Sequence, residues 1–288
     1  MRQSTLLCMN TFTPHLVTTE ASRVRWADLA GRPHGDIDAS GRSFVFLHGL
    51  TFDHRMWDPV LDALPANHPA VALDLPGHGG SPSLPRHNLE AVADAIHEAV
   101  RDAGLVAPIV VGHSIGGPIA SIYAIKYRSA AIVTVDQPVP VEPFAHLIRS
   151  LEGELAPDSF PQTWEMFCAS MHIERVPAST RPLLEVGEAA TREQVLSYWA
   201  ELLERTPEDL ALWVDGQLAQ ARAAALPYLA LRGHDVDPGE RAFLDDRLPH
   251  AEIVVWPVGH HFPHLADPPR FATMLTGLAA GLPGVPPR

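Results

Sequence analysis

Cysteine is scarce in this chain. Cys8 and Cys168 are the only two in 288 residues, and neither sits in a CxxC pair. That excludes a disulfide-built scaffold and a paired-cysteine zinc or redox site. Long apolar runs are missing as well. Nothing approaches the roughly 18 consecutive residues that a membrane span requires. The run at Leu6-Leu7-Cys8 also falls short of the ~7–15 residues of a signal-peptide core. Positive charge is in deficit, with 21 Lys and Arg against 34 Asp and Glu and a formal net charge of −13. Nucleic acids and anionic membrane surfaces need clustered basic side chains, so neither is an expected partner. No GxGxxG follows the first buried strand and no HExxH occurs, so no nucleotide cofactor or zinc helix is implied. The 16 histidines include His260, His261 and His264. Adjacent histidines do not readily converge on one ion, and no metal is expected. These absences predict a soluble, cytoplasmic protein with neither a metal nor a nucleotide cofactor.

Hydrophobic residues make up 46% of the chain and charged residues 19%, enough to bury a sizeable core. "HLVTTE" (15–20) and "RVRWADLAG" (23–31) read as short strands, followed by the polar, Gly-rich link "GRPHGDIDASGR". "SFVFLHG" (43–49), "PAVALDL" (69–75), "PIVVGH" (108–113) and "AAIVTVD" (130–136) predict strands buried on both faces. Between them, "HRMWDPVLDAL" (54–64), "NLEAVADAIHEAVRDAG" (88–104) and "GGPIASIYAIKY" (116–127) read as helices. Such alternation means a mostly parallel sheet covered by helices on both faces. From 138 to 225 the rhythm breaks, and large apolar residues such as Trp164, Trp199 and Trp213 fall in helical stretches. It resumes at "LPYLALRG" (226–233), "RAFLDDRL" (241–248), "AEIVVWP" (251–257) and "PRFATMLTGLAAGL" (269–282). The expectation is an α/β core formed by 1–137 and 226–288, with residues 138–225 inserted as a helical cap.

The stretch "VVGHSIGG" (110–117) places Ser114 between an apolar strand and a second apolar run. A nucleophile can be held there on a sharp turn, provided that the residues two before and two after are small. Gly112 and Gly116 meet that condition, and Gly117 adds clearance. A serine hydroxyl attacks only when a base takes its proton, and the base needs an orienting acid. On such a sheet the partners follow the serine in the order Asp or Glu, then His, at the ends of later strands.

With these residues in view, the chain resembles the α/β-hydrolases over nearly its whole length. "FLHGL", "DLPGHGGS", "VGHSIGG", "LRGHDVDPG" and "GHHFPHLADP" are similar to that family's successive loop motifs. The resemblance implies the α/β-hydrolase fold and a serine hydrolase acting on an ester, thioester, lactone or amide. Its alternatives are an acyltransferase, a perhydrolase, a carbon–carbon bond hydrolase, or a small-molecule receptor. A serine nucleophile argues against the epoxide hydrolases and haloalkane dehalogenases, which attack with a carboxylate. The family's Gly-His is doubled here, so the base is His260 or His261, and the spacing to Pro249 and Pro268 favours His261. Val236 occupies the family's usual place for the acid, flanked by Asp235 and Asp237. The Asp237-Pro238 pair resembles the family's Asp-Pro, so Asp237 is preferred over Asp235. Asp136, at the end of "IVTVD", is a third candidate, because some relatives take the acid from that strand. The resemblance also assigns the oxyanion-binding N–H groups to Leu50 and Ile115. The aromatic content of 138–225 suggests an apolar substrate pocket or, equally, the cap's own core.

Overall fold

The computed structural model describes residues 24–184 and 190–284. The strand expected at 15–20 and Cys8 lie outside them. Within them, strand β3 (Phe44–Leu47) shows how the layers arise, since all its side chains are buried and divide by parity. Phe44 and Phe46 join Trp57, Val60 and Leu61 on one face of the sheet, together with Phe271 and Leu275. Val45 and Leu47 join Val92, Ile96, Ile119 and Tyr123 on the other. Strand side chains alternate between faces, so a strand apolar at every position must be covered on both. Full burial of each such side chain stabilises by about 1.5–3 kcal/mol.

The hairpin β1 (Val24–Trp26) and β2 (Leu29–His34) precedes β3. Of the segment 23–31, expected as one strand, the described residues 24–31 therefore fold back on themselves. Ala27 makes the turn at φ 48°, and Leu29 and Ala30 are buried against the sheet. After β3 come α1 (Asp58–Ala63), β4 (Ala70–Leu73), α2 (Leu89–Asp102), β5 (Ile109–His113), α3 (Gly116–Lys126) and β6 (Ala131–Val135). Helix α2 starts where Asn88 accepts a hydrogen bond from Ala91 N at 2.7 Å, and it buries Val92, Ala93, Ile96, Ala99 and Val100 on one face. The next α-helices among the described residues are α4 (Glu142–Ser150), α5 (Phe160–Ser170), α6 (Arg192–Glu204) and α7 (Pro207–Ala223), with no strand among them. The chain then returns to β7 (Tyr228–Arg232), α8 (Pro238–Arg247), β8 (Glu252–Val255), α9 (Pro263–Ala266) and α10 (Pro268–Gly281).

The eight strands among the described residues form one sheet in the order β1-β2-β4-β3-β5-β6-β7-β8, parallel from β4 to β8 and antiparallel at the β1-β2 edge. From β3 the chain first moves to β4 on one side and then to β5 on the other. That reversal opens a crevice beyond the carboxyl ends of β3 and β5, where ligands bind in open α/β sheets. Helix α6 meets the same end of the sheet. Tyr198 Oη donates to Pro76 O at 2.8 Å and Gln194 Nε2 to Gly77 O at 2.9 Å, just beyond β4. Among the described residues, no helix is long and apolar enough to cross a membrane.

Candidate active site

Ser114 sits at the reversal point, between β5 and α3, with φ at 51°. A non-glycine residue in this left-handed region costs roughly 1–2 kcal/mol and persists only where its surroundings hold it. Here Ser114 N donates to Val135 O at 3.0 Å and Gly117 N donates to Ser114 O at 2.7 Å. The flanking glycines follow from the same turn. A Cβ on Gly112 would run into the Gly116 carbonyl, and one on Gly116 would come within 2.6 Å of Leu47 O. Ile115 follows as the N-cap residue of α3, where the helix dipole favours negative charge.

Across the crevice, the loop after β3 carries Gly49 and Leu50. A Cβ on Gly49 would lie 2.7 Å from His113 Nδ1, so only glycine lets this loop approach the elbow. Two buried histidines hold the loop from behind. Leu75 N donates to His48 Nε2 at 2.9 Å, so the His48 proton lies on Nδ1, which donates to Gly49 O at 2.7 Å. Thr51 N donates to His78 Nε2 at 3.0 Å in the same manner. Burial keeps both rings neutral, lowering His48 and pushing His78 down to about 3. Among the described residues, neither Leu50 N nor Ile115 N is taken up by a hydrogen bond.

Asp53, His54 and Asp74 also gather behind this loop, with ligand atoms close enough to suit an ion. Their oxygens already face donors. His54 Nδ1 lies 2.6 Å from Asp74 Oδ1, Gly80 N donates to Asp74 Oδ2 at 2.7 Å, and Arg55 grips Asp53 with Nη2 at 2.7 Å. The cluster ties the β3 loop to the β4 loop and needs no cation to satisfy it.

The carboxylate beside His261 is that of Asp136. It stands at the end of β6 with φ at 49°, and its Oδ2 lies 2.7 Å from His261 Nδ1. Its Oδ1 accepts from Gly233 N at 2.6 Å and lies 3.4 Å from His234 Nδ1. Burial opposes ionisation of this carboxyl, but the hydrogen bond and charge of His261, together with the Gly233 N–H, outweigh it and hold the group at about 2. Asp136 is therefore ionised at neutral pH, and His261 Nδ1 carries the proton that it accepts. Nε2, the other ring nitrogen, faces away from this carboxylate.

Asp237, the acid preferred from the sequence, is placed differently. Its exposed carboxylate caps α8, accepting from Gly239 N at 2.8 Å and Glu240 N at 3.3 Å. Asp235 is likewise exposed. The reason is topological. β6 and β7 are neighbours, and Asp136 N donates to Leu231 O at 2.8 Å, so the end of β6 faces the first residues after β7. Asp237 lies beyond that point, in the first turn of the next helix.

His260 is turned into the loop, where Phe262 N donates to its Nδ1 at 3.1 Å, and burial lowers its pKa. His261 is held at two further points. His113 Nε2 donates to His261 O at 2.8 Å, and His261 N donates to Met171 O at 3.0 Å. His264 is fully buried and packs on the Trp57 ring at 4.5 Å, with burial holding its pKa well below the usual value. The contributions of His113 and Met171 carry no motif in the sequence. They arise from contacts across 148 residues for His113.

The comparisons with known proteins agree with this architecture. Residues 44–274 match the alpha/beta hydrolase family as a whole. The mouse (Mus musculus) sn-1-specific diacylglycerol lipase ABHD11 is 26% identical over 85% of this chain and 83% of its own. The pimeloyl-[acyl-carrier protein] methyl ester esterase of Chromobacterium violaceum is 28% identical over 82% of this chain and 93% of its own. Among solved structures, a putative aryl esterase from Burkholderia cenocepacia superposes with a TM-score of 0.70 at 22% identity, covering 90% of this chain and 97% of that one. With a match spanning most of its length, an eight-stranded sheet of this order and a serine elbow at the switch point, the chain belongs to the alpha/beta hydrolase family.

Proposed function

We propose that the protein is a serine esterase that cleaves a carboxylic ester of a small, apolar substrate through an acyl-enzyme on Ser114. The observation that carries this reading is the Asp136–His261 pair, whose 2.7 Å contact is made through Nδ1 and leaves Nε2 clear of the carboxylate, at the same sheet end as the strained serine. Ser114 Oγ attacks the carbonyl carbon while His261 Nε2 takes its proton. The resulting oxyanion is held by the N–H groups of Leu50 and Ile115, donors of a kind worth about 2.7–4 kcal/mol each in a transition state. Asp136 keeps the Nδ1 proton in place and stabilises the imidazolium. The carbon–oxygen bond then breaks, and His261 returns the proton to the departing alkoxide. Water, deprotonated by His261, attacks the acyl carbon, and the carboxylic acid leaves with Ser114 restored. No cofactor enters these steps.

The helical insertion supports an apolar substrate, and we read it as a cap. Phe160, Trp164, Tyr198 and Trp199 belong to the same apolar cluster as Leu50, with Ile115 and Phe167 packed against it. Phe167 and Trp199 lie 5.1 Å apart between ring centres. Apolar lining with a few convergent polar groups is the usual form of a small-molecule pocket. The names of the relatives, an esterase of a methyl ester and a lipase, point to the same bond type.

A p-nitrophenyl ester series from acetate to decanoate, sampled before steady state, tests the reading. A burst of nitrophenol is expected from the wild type and none from Ser114→Ala, with kcat lower by on the order of 10⁶. Ester turnover surviving in Ser114→Ala would sink the mechanism.

A further inference from the structure

The loop that carries His261 is hydrogen-bonded at three points by the insertion. His261 N, the amide of the base itself, donates to Met171 O at 3.0 Å. Arg175 Nη1 donates to Gly259 O at 3.0 Å, two residues before the base. Gly259 has φ at 71°, and a Cβ there would lie 3.1 Å from Arg175 Nη1, so the guanidinium fills the space that a side chain would need. Thr180 Oγ1 donates to Leu265 O at 3.2 Å on the far side of the base.

These contacts come from one short segment, and that segment is closed on itself by hydrogen bonds. His172 turns it at φ 52°, and Arg181 closes it by donating to Glu174 O at 2.8 Å and Val176 O at 2.9 Å. Val176 is fully buried in the core cluster that contains Trp256, Phe262 and Leu265. The sheet side of the base loop is held by Asp136 and His113, as described above. The opposite side is held by residues 171–181.

We propose that residues 171–181 form a strap through which the insertion positions His261, with Arg175 as its central positioning residue. The inference rests on His261 being the base. The strap makes the place of the imidazole depend on how the insertion is seated, so a change that loosens the insertion is felt at the proton transfer. A misplacement of reacting groups by about 1 Å can cost 10²-fold in rate, so a partial loosening is expected to cost about tenfold.

Arg175 is about half exposed, with 54% of its side-chain surface accessible, and its removal leaves the core intact. In Arg175→Ala, kcat for a p-nitrophenyl ester is expected to fall about tenfold with KM within about twofold, and Arg175→Lys to recover most of the loss by donating to Gly259 O. Thr180→Val is expected to lower kcat in the same direction. Hydrogen–deuterium exchange of the peptide spanning 259–265 supplies a readout independent of activity, and faster exchange is expected in Arg175→Ala. Unchanged kcat and unchanged exchange in Arg175→Ala would overturn the strap, as would a loss that Arg175→Lys does not relieve. Run beside these, Ser114→Ala separates the two claims. Its inactivity together with a normal Arg175→Ala refutes the strap alone. Its retained activity refutes the esterase, and the exchange measurement then still decides whether the strap exists.

Discussion

Replacing Asp136 by Asn is the sharpest perturbation of the site. The backbone at φ 49° accepts Asn as readily as Asp, so the fold is expected to survive. The amide has one acceptor where the carboxylate has two. Gly233 N, 2.6 Å from Oδ1, takes that acceptor, which leaves the NH₂ group facing His261 Nδ1. The imidazole then offers a lone pair at Nδ1 and carries its proton on Nε2. That is the tautomer that cannot accept a proton from Ser114. The same exchange in a Ser-His-Asp triad drops kcat by ~10⁴, equivalent to about 5.4 kcal/mol of transition-state stabilisation. Asp237→Asn is the matched control. Asn caps a helix as well as Asp does, so α8 keeps its cap and kcat is expected to stay within about twofold. Steady-state and single-turnover rates on one p-nitrophenyl ester, with circular dichroism to verify folding, check both variants. A folded Asp136→Asn retaining more than about a tenth of wild-type kcat would refute the assignment, as would a thousandfold loss in Asp237→Asn.

The elbow and the buried histidines each give a further expectation. Gly116→Ala places a methyl group 2.6 Å from Leu47 O, inside the β3–β5 contact, and backbone cannot retreat cheaply. A loss of about 1–3 kcal/mol in urea unfolding is expected, together with a loss of the acylation burst, and wild-type stability in this variant would contradict the packing described. Stability is also expected to fall as pH drops from about 6.5 toward 4. His78, His113 and His264 have folded pKa values below the unfolded 6.5, so below that pH the unfolded chain binds protons that the folded chain refuses. Each contributes a slope of about 1.4 kcal/mol per pH unit until its folded pKa is reached. Asp74 and Asp136, both held at about 2, act lower. Their contribution is complete above the unfolded value of 3.8 and is lost only as pH falls toward 2. Urea midpoints measured from pH 7 to 4 check this, and His264→Phe is expected to flatten the slope by one proton. A flat profile over that range would refute the neutral burial of these rings.

Much of the fold was legible because its signals are local. The serine elbow is a matter of van der Waals contact within five residues, and Gly112 and Gly116 are the only way to close it around Ser114. Asn88 announces α2 through a bond to the amide three residues on. The strands read as apolar runs because a parallel sheet is buried on both faces, and such a run needs no knowledge of its neighbours to be recognised. The turn between residues 24–26 and 29–34 is not legible, because Ala27 gives no warning of its positive φ. The carboxylate that faces His261 was not legible for a different reason. Asp237 before Pro238 is equally the signature of a helix start, an N-cap followed by proline at the first helical position, and the helix claimed it. Asp136 meets His261 across 125 residues, and nothing near either residue in sequence records that meeting. It follows from β6 lying beside β7, a pairing decided by how the whole sheet is wound. By itself, then, the sequence determined the sheet-and-helix alternation and the serine turn, which are settled by short-range sterics and apolar periodicity. The tertiary structure alone decided which carboxylate faces the imidazole and what holds the histidine loop in place, because those contacts exist only once distant strands and the insertion have packed together.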